Sequence, residues 1–151
     1  MTVNRGKRSI VLDLKQDEDA EVMRRLLAGA DPFFHNVRGA AIAKLGFDYD
    51  AVKAIKPDII YVHGTGFGQD GPYAERAGYD LMIQAMSGMM DITGRADGTP
   101  GGGPQRVGVA LTDLFTGVYA STAILAAIHV RHSTGRGQHI DMALLDVGMA
   151  I

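Results

Sequence analysis

Apolar and polar positions along this chain follow two periods that take turns. SIVLDL (9–14) is a short β-branched run, and DEDAEVMRRLLAGA (17–30) carries acids at its front, Arg24 and Arg25 later, and Gly29 near its end. That order predicts a strand followed by a helix, because acids suit the positive end of a helix dipole and glycine suits its terminus. DPFFHN (31–36) predicts a second strand, VRGAAIAKLGF (37–47) and DYDAVKAIK (48–56) short helices, and PDIIYVHGTGF (57–67) a third strand that runs into glycine. In YDLMIQAMSGMMDI (79–92), Leu81, Ile83, Ala85, Met86, Met89 and Met90 recur at roughly helical spacing, whereas TGRADGTPGGGPQ (93–105) has no period. The first predicts a helix and the second a mobile loop. A short strand at Val107–Leu111, a long helix from Asp113 to about His132, a turn STGRGQ, a strand HIDMAL (139–144) and a further apolar helix start at Leu145 complete the reading. Strand and helix alternate without an internal repeat, so the expected fold class is α/β with parallel pairing.

Composition narrows the function classes. The chain has 151 residues, 46% hydrophobic and 21% charged, with a formal net charge of -2, the profile of a globular protein that buries a core. With 15 Lys+Arg against 17 Asp+Glu there is no general electrostatic case for nucleic-acid or anionic-membrane binding, and neither partner is expected. Cysteine is absent, which excludes disulfides, thiolate metal sites and a cysteine nucleophile, and fits a cytoplasmic location. MTVNRGKRSIVLDLK lacks the hydrophobic region and cleavage site of a signal peptide, so export is not expected. Leu114 to Val130 contains no Asp, Glu, Lys or Arg, but Thr116, Gly117, Tyr119, Ser121, Thr122 and His129 make it a buried helix rather than a membrane span. The chain closes on LLDVGMAI, an apolar helix start without a cap, and opens a few residues before its first strand. Both ends suggest a piece of a longer protein, or one whose missing strands come from elsewhere.

Several stretches are candidates for chemistry. Asp113 stands alone between the run Val107–Leu111 and the uncharged stretch to Val130. Its plainest reading is structural, since Thr112 or Asp113 can cap a helix start. HGTGFGQDGPYAERAGYD (63–80) offers Gly64, Gly66, Gly68 and Gly71 for close backbone approach, yet it matches neither GxGxxG nor a phosphate loop ending in Lys-Ser/Thr. GGGPQ (101–105) reads as a flexible turn. None of His35, His63, His129, His132 and His139 forms a close metal-ligand spacing, so no metal is expected; His129 and His132 suit a helix C-terminus. No GxSxG elbow is present, and Ser87 falls within a helical pattern, which argues against a Ser-His-Asp hydrolase. The basic run NRGKR (4–8) is either solvated surface or a phosphate contact, and Lys15, Arg38 and Lys44 would extend it if the fold gathers the strand ends.

Taken in order, NRGKRSIVLDLK, HNVRGAAIAKLGFDYDAVKAIKPDIIYVHGTGFGQDGPYAERAGYDLMIQAMSGMM, GVALTDLFTGVYASTAILAAI and STGRGQHIDMALLD resemble successive blocks of the class III CoA-transferase family. That family includes formyl-CoA transferase, the carnitine-type CoA-transferases and α-methylacyl-CoA racemase. The most specific blocks are GFGQDGPYAERAGYD, GVALTDLFTG and TGRGQHIDMALLD. The resemblance implies a Rossmann-like parallel-sheet large domain, here incomplete over residues 1–151, without the small domain and without the later glycine-rich loop that covers the transferase site. It also implies a homodimer of two interlocked chains. The family's catalytic aspartate falls on Asp113, and the resemblance makes it a nucleophile toward acyl-CoA, passing through an aspartyl anhydride and an aspartyl-CoA thioester. Asp141 and Asp146 match no catalytic position.

For coenzyme A, carried as the acyl-CoA substrate, the resemblance points to Leu12, Asp13, Leu14 and Lys15, to Asn36, Val37 and Arg38, and to Lys44 and Tyr79. Lys44 stands where some members have Arg, keeping the charge but losing the bidentate fork. The common ENFRPG reads HNVRGA here, with the acid, the aromatic and the proline replaced. The catalytic position suits a strand-to-helix junction, where a carboxylate can be aimed and backbone N–H groups can stabilise an oxyanion; residues 64–71 are candidates for those donors. In the racemase branch a His of a GHD motif works with the aspartate as a second acid/base group. Here the motif is AGYD, and an unperturbed Tyr, with a pKa of about 10, is a poor base at neutral pH, so CoA transfer between carboxylic acids is expected. A racemase-like enzyme and an inactive CoA-binding fragment are the alternatives.

Overall fold

A computed structural model describes residues 4–151; the first three residues of the basic N-terminal stretch lie outside the described residues. Its elements in chain order are α1 (Asp17–Ala28), β1 (Pro32–His35), α2 (Gly39–Lys44), α3 (Tyr49–Ile55), β2 (Ile60–Thr65), α4 (Asp80–Met86), α5 (Met89–Thr93), α6 (Leu111–Thr134), β3 (Gln138–Ala143) and α7 (Leu144–Ala150). The strands form one parallel sheet in the order β1-β2-β3, with Pro32 paired to Ile60 and Ile60 to Gln138. The expected α/β class with parallel pairing is therefore observed.

Strand side chains alternate between faces, and the two faces of β2 build two cores. Tyr61 packs with Ala20, Leu27, Ile42, Phe47, Val52 and Ile59, which places α1, α2 and α3 on one side of the sheet. Ile60 and Val62 pack instead with Ala120 and Ala127 of α6 on the other. The buried stripe of α6, Thr112, Thr116, Ala120 and Ala127, follows helical spacing and is made of small residues, so the helix approaches the sheet closely.

At the far end of α6, Arg131 gathers the start of the sheet. Its guanidinium meets the Asp31 carboxylate at 2.6 Å and the Asp58 carboxylate at 3.7 Å, and donates to the Asp31 and Asp58 carbonyls at 3.5 and 3.4 Å. The chain approaching β1 and the chain approaching β2 are thus tied to one side chain.

Four expectations need correction. Residues 9–14 are not a strand: among the described residues no strand lies alongside them, and Ile10 and Val11 stand exposed. Residues 107–111 are not a strand either, because Leu111 already opens α6 and the preceding residues bond to a side chain of α4 instead of a sheet edge. The helix expected over 79–92 divides into α4 and α5 at Gly88, whose φ of 81° is left-handed. Finally, α6 buries one stripe only. A flat sheet can cover one side of a helix, and Leu114, Val118 and Leu125 face outward. By length and hydropathy alone α6 could cross a membrane, which reflects this apolar outer face.

Candidate active site

The parallel sheet points all three strand C-termini to one edge, where ligands of open α/β sheets bind. His35, Thr65 and Ala143 end their strands there. The loops that follow are tied to one another. Gln69 N–H donates to Asp141 Oδ2 at 2.7 Å, Gly68 N–H to Thr65 Oγ1 at 3.0 Å, and Leu145 N–H to the Gly66 carbonyl at 3.0 Å. A Cβ on Gly39 would meet Gln69 Oε1 at 2.9 Å, so the loop after β1 lies directly against the loop after β2. This changes the reading of residues 64–71 as oxyanion donors: the N–H groups of Gly68 and Gln69 are consumed in holding the loop.

Gly66 carries the site one step further. Its α-carbon packs on the backbone of Gly78, where an added Cβ would stand 2.7 Å from Gly78 N, and the reverse substitution would clash equally. Glycine at both positions lets two backbone segments touch, and the contact fixes the chain that delivers Tyr79 and Asp80. Tyr79 precedes the first turn of α4 and is 75% exposed. Asp80 turns inward. Its Oδ1 accepts from Thr112 N–H at 2.8 Å, Thr112 Oγ1–H at 2.7 Å and Asp113 N–H at 3.4 Å, while Oδ2 accepts from Gln84 Nε2 at 2.6 Å. Gln84, only 1% exposed, also donates to the Val109 carbonyl at 3.2 Å and accepts from Val107 N–H at 2.9 Å.

These bonds decide what Asp113 does. The cap expected from Thr112 or Asp113 is absent: Ala110 holds the cap position without a side-chain bond, and Asp80 satisfies the first-turn N–H groups from another helix. Asp113 is therefore released from capping and presents an exposed carboxylate on the first turn of α6. Partial burial, and then the negative charge of Asp80, raise its pKa above the ordinary carboxylate value. A more basic carboxylate is a better nucleophile once ionised, and the helix dipole favours the anion.

The other residues implied for CoA are placed unevenly. Asn36, Val37 and Arg38 lie at the sheet's C-terminal edge, against the glycine-rich loop, and all three are exposed. Lys44, also exposed, closes α2, so Arg38 and Lys44 stand at opposite ends of that short helix. Leu12, Asp13, Leu14 and Lys15 lie ahead of α1. There Asp13 N–H donates to Asp19 Oδ2 at 2.7 Å, Asp13 Oδ1 accepts from Lys15 N–H at 3.2 Å, and Leu14 packs against the first core. Leu14 is thus partly an anchor, while the Lys15 side chain is exposed.

An open apolar cleft of about 420 Å³ lies beside α6, between Met89, Ile92, Leu111, Phe115, Met149 and Ile151. Leu111 and Phe115 are one turn apart on the helix, and Asp113 between them projects from the opposite side, so the cleft does not open onto its carboxylate. Among the described residues no three His, Asp or Glu side chains converge as a metal set.

Sequence reasoning missed Asp80 and Gln84. The only signal for either was an acid and an amide one helical turn apart, which is common on helices. Their partners lie 23 to 33 residues away, and no local pattern shows that.

The comparisons with known proteins identify the family and the fold. CoA-transferase family III matches residues 1–151. A succinate–glutarate CoA-transferase of Agrobacterium fabrum is 51% identical over 148 residues, 98% of this chain and 36% of that protein. A formyl-CoA:oxalate CoA-transferase of Streptomyces avermitilis is 37% identical over 142 residues, 94% of this chain and 34% of that protein. The crystal structure of a CaiB/BaiF family protein from Brucella suis superposes with a TM-score of 0.92 at 51% identity, covering 97% of this chain and 38% of that one. The chain thus spans about a third of the length of the curated relatives it matches. With its parallel sheet and a match along its full length, this chain belongs to CoA-transferase family III.

Proposed function

We propose that the protein moves CoA between an acyl-CoA and a free carboxylic acid, with Asp113 as the nucleophile. The observation that carries this reading is the division of labour between two carboxylates. Asp80 takes the capping bonds of α6, and Asp113 beside it stays exposed and more basic than usual.

In the proposed cycle the Asp113 carboxylate attacks the thioester carbonyl, the C–S bond breaks, and an aspartyl-acyl anhydride and CoA thiolate result. The thiolate then attacks the aspartyl carbonyl, expelling the donor acid as carboxylate and leaving an aspartyl-CoA thioester. The acceptor carboxylate attacks that thioester and releases the thiolate, which takes the acceptor acyl group from the new anhydride. Acyl-CoA leaves and the Asp113 carboxylate is regenerated. Each tetrahedral intermediate carries an oxyanion that needs N–H donors. Leu12–Lys15, Asn36–Arg38, Lys44 and Tyr79 are the proposed CoA contacts, with the cations directed at phosphate. Succinate, glutarate and oxalate in the names of the two relatives are all dicarboxylates, so a short dicarboxylate is the proposed acceptor class.

The described chain contributes the CoA-binding part of a larger α/β domain. The protein is taken to work as an interlocked homodimer in the cytoplasm, and the outward apolar face of α6 at Leu114, Val118 and Leu125 is consistent with a covering surface. Incubating the full-length protein with acyl-CoA and hydroxylamine is expected to convert Asp113 to a hydroxamate detectable by peptide mass spectrometry. Full turnover by Asp113→Ala would overturn the assignment.

A further inference from the structure

The loop that leaves β1 is held in an unusual way. Register places His35 of β1 opposite His63 of β2, and their rings lie 4.2 Å apart at 40°. His35 Nδ1 accepts from Val37 N–H at 3.2 Å, while His63 Nε2–H donates to the Val37 carbonyl at 2.6 Å. Two successive peptide groups of one loop, one a donor and the other an acceptor, are thus gripped by two imidazoles. Val37 is itself 38% exposed, so these hydrogen bonds, more than apolar burial, hold the loop.

The protonation pattern follows from the partners. Tyr61 O–H donates to the Phe47 carbonyl at 2.9 Å, so its oxygen accepts from His35 Nε2–H at 2.7 Å. His35 therefore carries its proton on Nε2 and turns the Nδ1 lone pair to Val37. His63 must carry a proton on Nε2, since a carbonyl oxygen only accepts. A second proton on His35 would set N–H against N–H at Val37; burial, and then the adjacent His63, hold its pKa down to about 4. His35 therefore keeps its acceptor role toward Val37 N–H across the neutral pH range. Both rings are buried, whereas Asn36 and Arg38 on either side of Val37 are exposed.

We propose that His35 and His63 are positioning residues for acyl-CoA: by fixing the peptide groups on both sides of Val37, they set how Asn36 and Arg38 are presented at the sheet edge. The inference rests on the reading that residues 36–38 contact CoA. A purely structural pair would stabilise the core without affecting CoA binding once the fold is intact.

The test uses the full-length protein, with CoA titrated calorimetrically and acyl-CoA turnover measured in parallel. His63→Leu is expected to raise the CoA dissociation constant and KM about tenfold, the scale of one lost buried hydrogen bond, with kcat within about twofold. His63→Gln, whose amide nitrogen can still donate to the Val37 carbonyl, is expected to recover most of the affinity. Wild-type CoA binding by a folded His63→Leu, together with weakened binding by Arg38→Ala, would overturn the inference while leaving the loop a CoA contact. Unchanged binding by Arg38→Ala as well would overturn both. Should His63→Leu not fold, His63→Asn carries the test, having the same amide one methylene shorter: weaker binding than His63→Gln supports the clamp, and equal binding overturns it.

Discussion

Residues 9–14 and 107–111 are two short apolar runs of similar composition, and neither becomes a strand. The first is held by the turn around Asp13 and by Leu14, and Val11 remains 94% exposed. The second is pinned at Val107 and Val109 by the buried amide of Gln84 and leads straight into the first turn of α6. β-branched composition says that a segment tolerates extended backbone; it does not supply a neighbour. Where a side chain offers the missing donor and acceptor, the extended segment becomes part of the support beneath Asp113. Where none does, it stays on the surface.

The contrast can be broken at either end. Asp113→Ala, at the supported corner, is expected to lower turnover by about 10³-fold or more while the CoA dissociation constant stays near wild type, measured by steady-state kinetics and calorimetry. Gly66→Ala forces a methyl group into the backbone of Gly78 and is expected to cost about 3 kcal/mol, read from denaturant unfolding. Gln84→Leu strands the Val107 N–H and the Val109 carbonyl and is expected to cost about 2 kcal/mol by the same measurement. Asp80→Asn keeps an acceptor for Thr112 but removes the neighbouring negative charge. Since that charge helps raise the pKa of Asp113, the acidic limb of the pH–rate profile is expected to move to lower pH, and a shift to higher pH would contradict the coupling. Smallest of all, Val11→Thr is expected to change stability by less than about 0.5 kcal/mol. A loss above about 1 kcal/mol there would show that the run is covered after all.

Periodicity located α1, β1, β2, β3 and α6, and alternation gave parallel pairing, because each of those signals is local. The motif GVALTD singled out Asp113, but its freedom from capping was invisible: Asp80 is 33 residues earlier, and nothing near Thr112 shows that its cap comes from α4. The histidines were equally opaque. His35 and His63 show no metal spacing, and their meeting depends on the register of β1 against β2, which a list of residues does not contain. The division at Gly88 depends on a left-handed φ that the surrounding helical spacing masks.

Helix α6, which carries Asp113, behaves as a beam fastened at both supports. At 24 residues α6 runs roughly 36 Å. One end is bolted to the sheet's starting edge through Arg131, and the other is bolted to α4 through Asp80. Sliding along its axis would have to break an ion pair at one support or a cap at the other. The position of Asp113 is therefore a property of the whole span, and a change at Arg131, about eighteen residues down the helix, is expected to reach it.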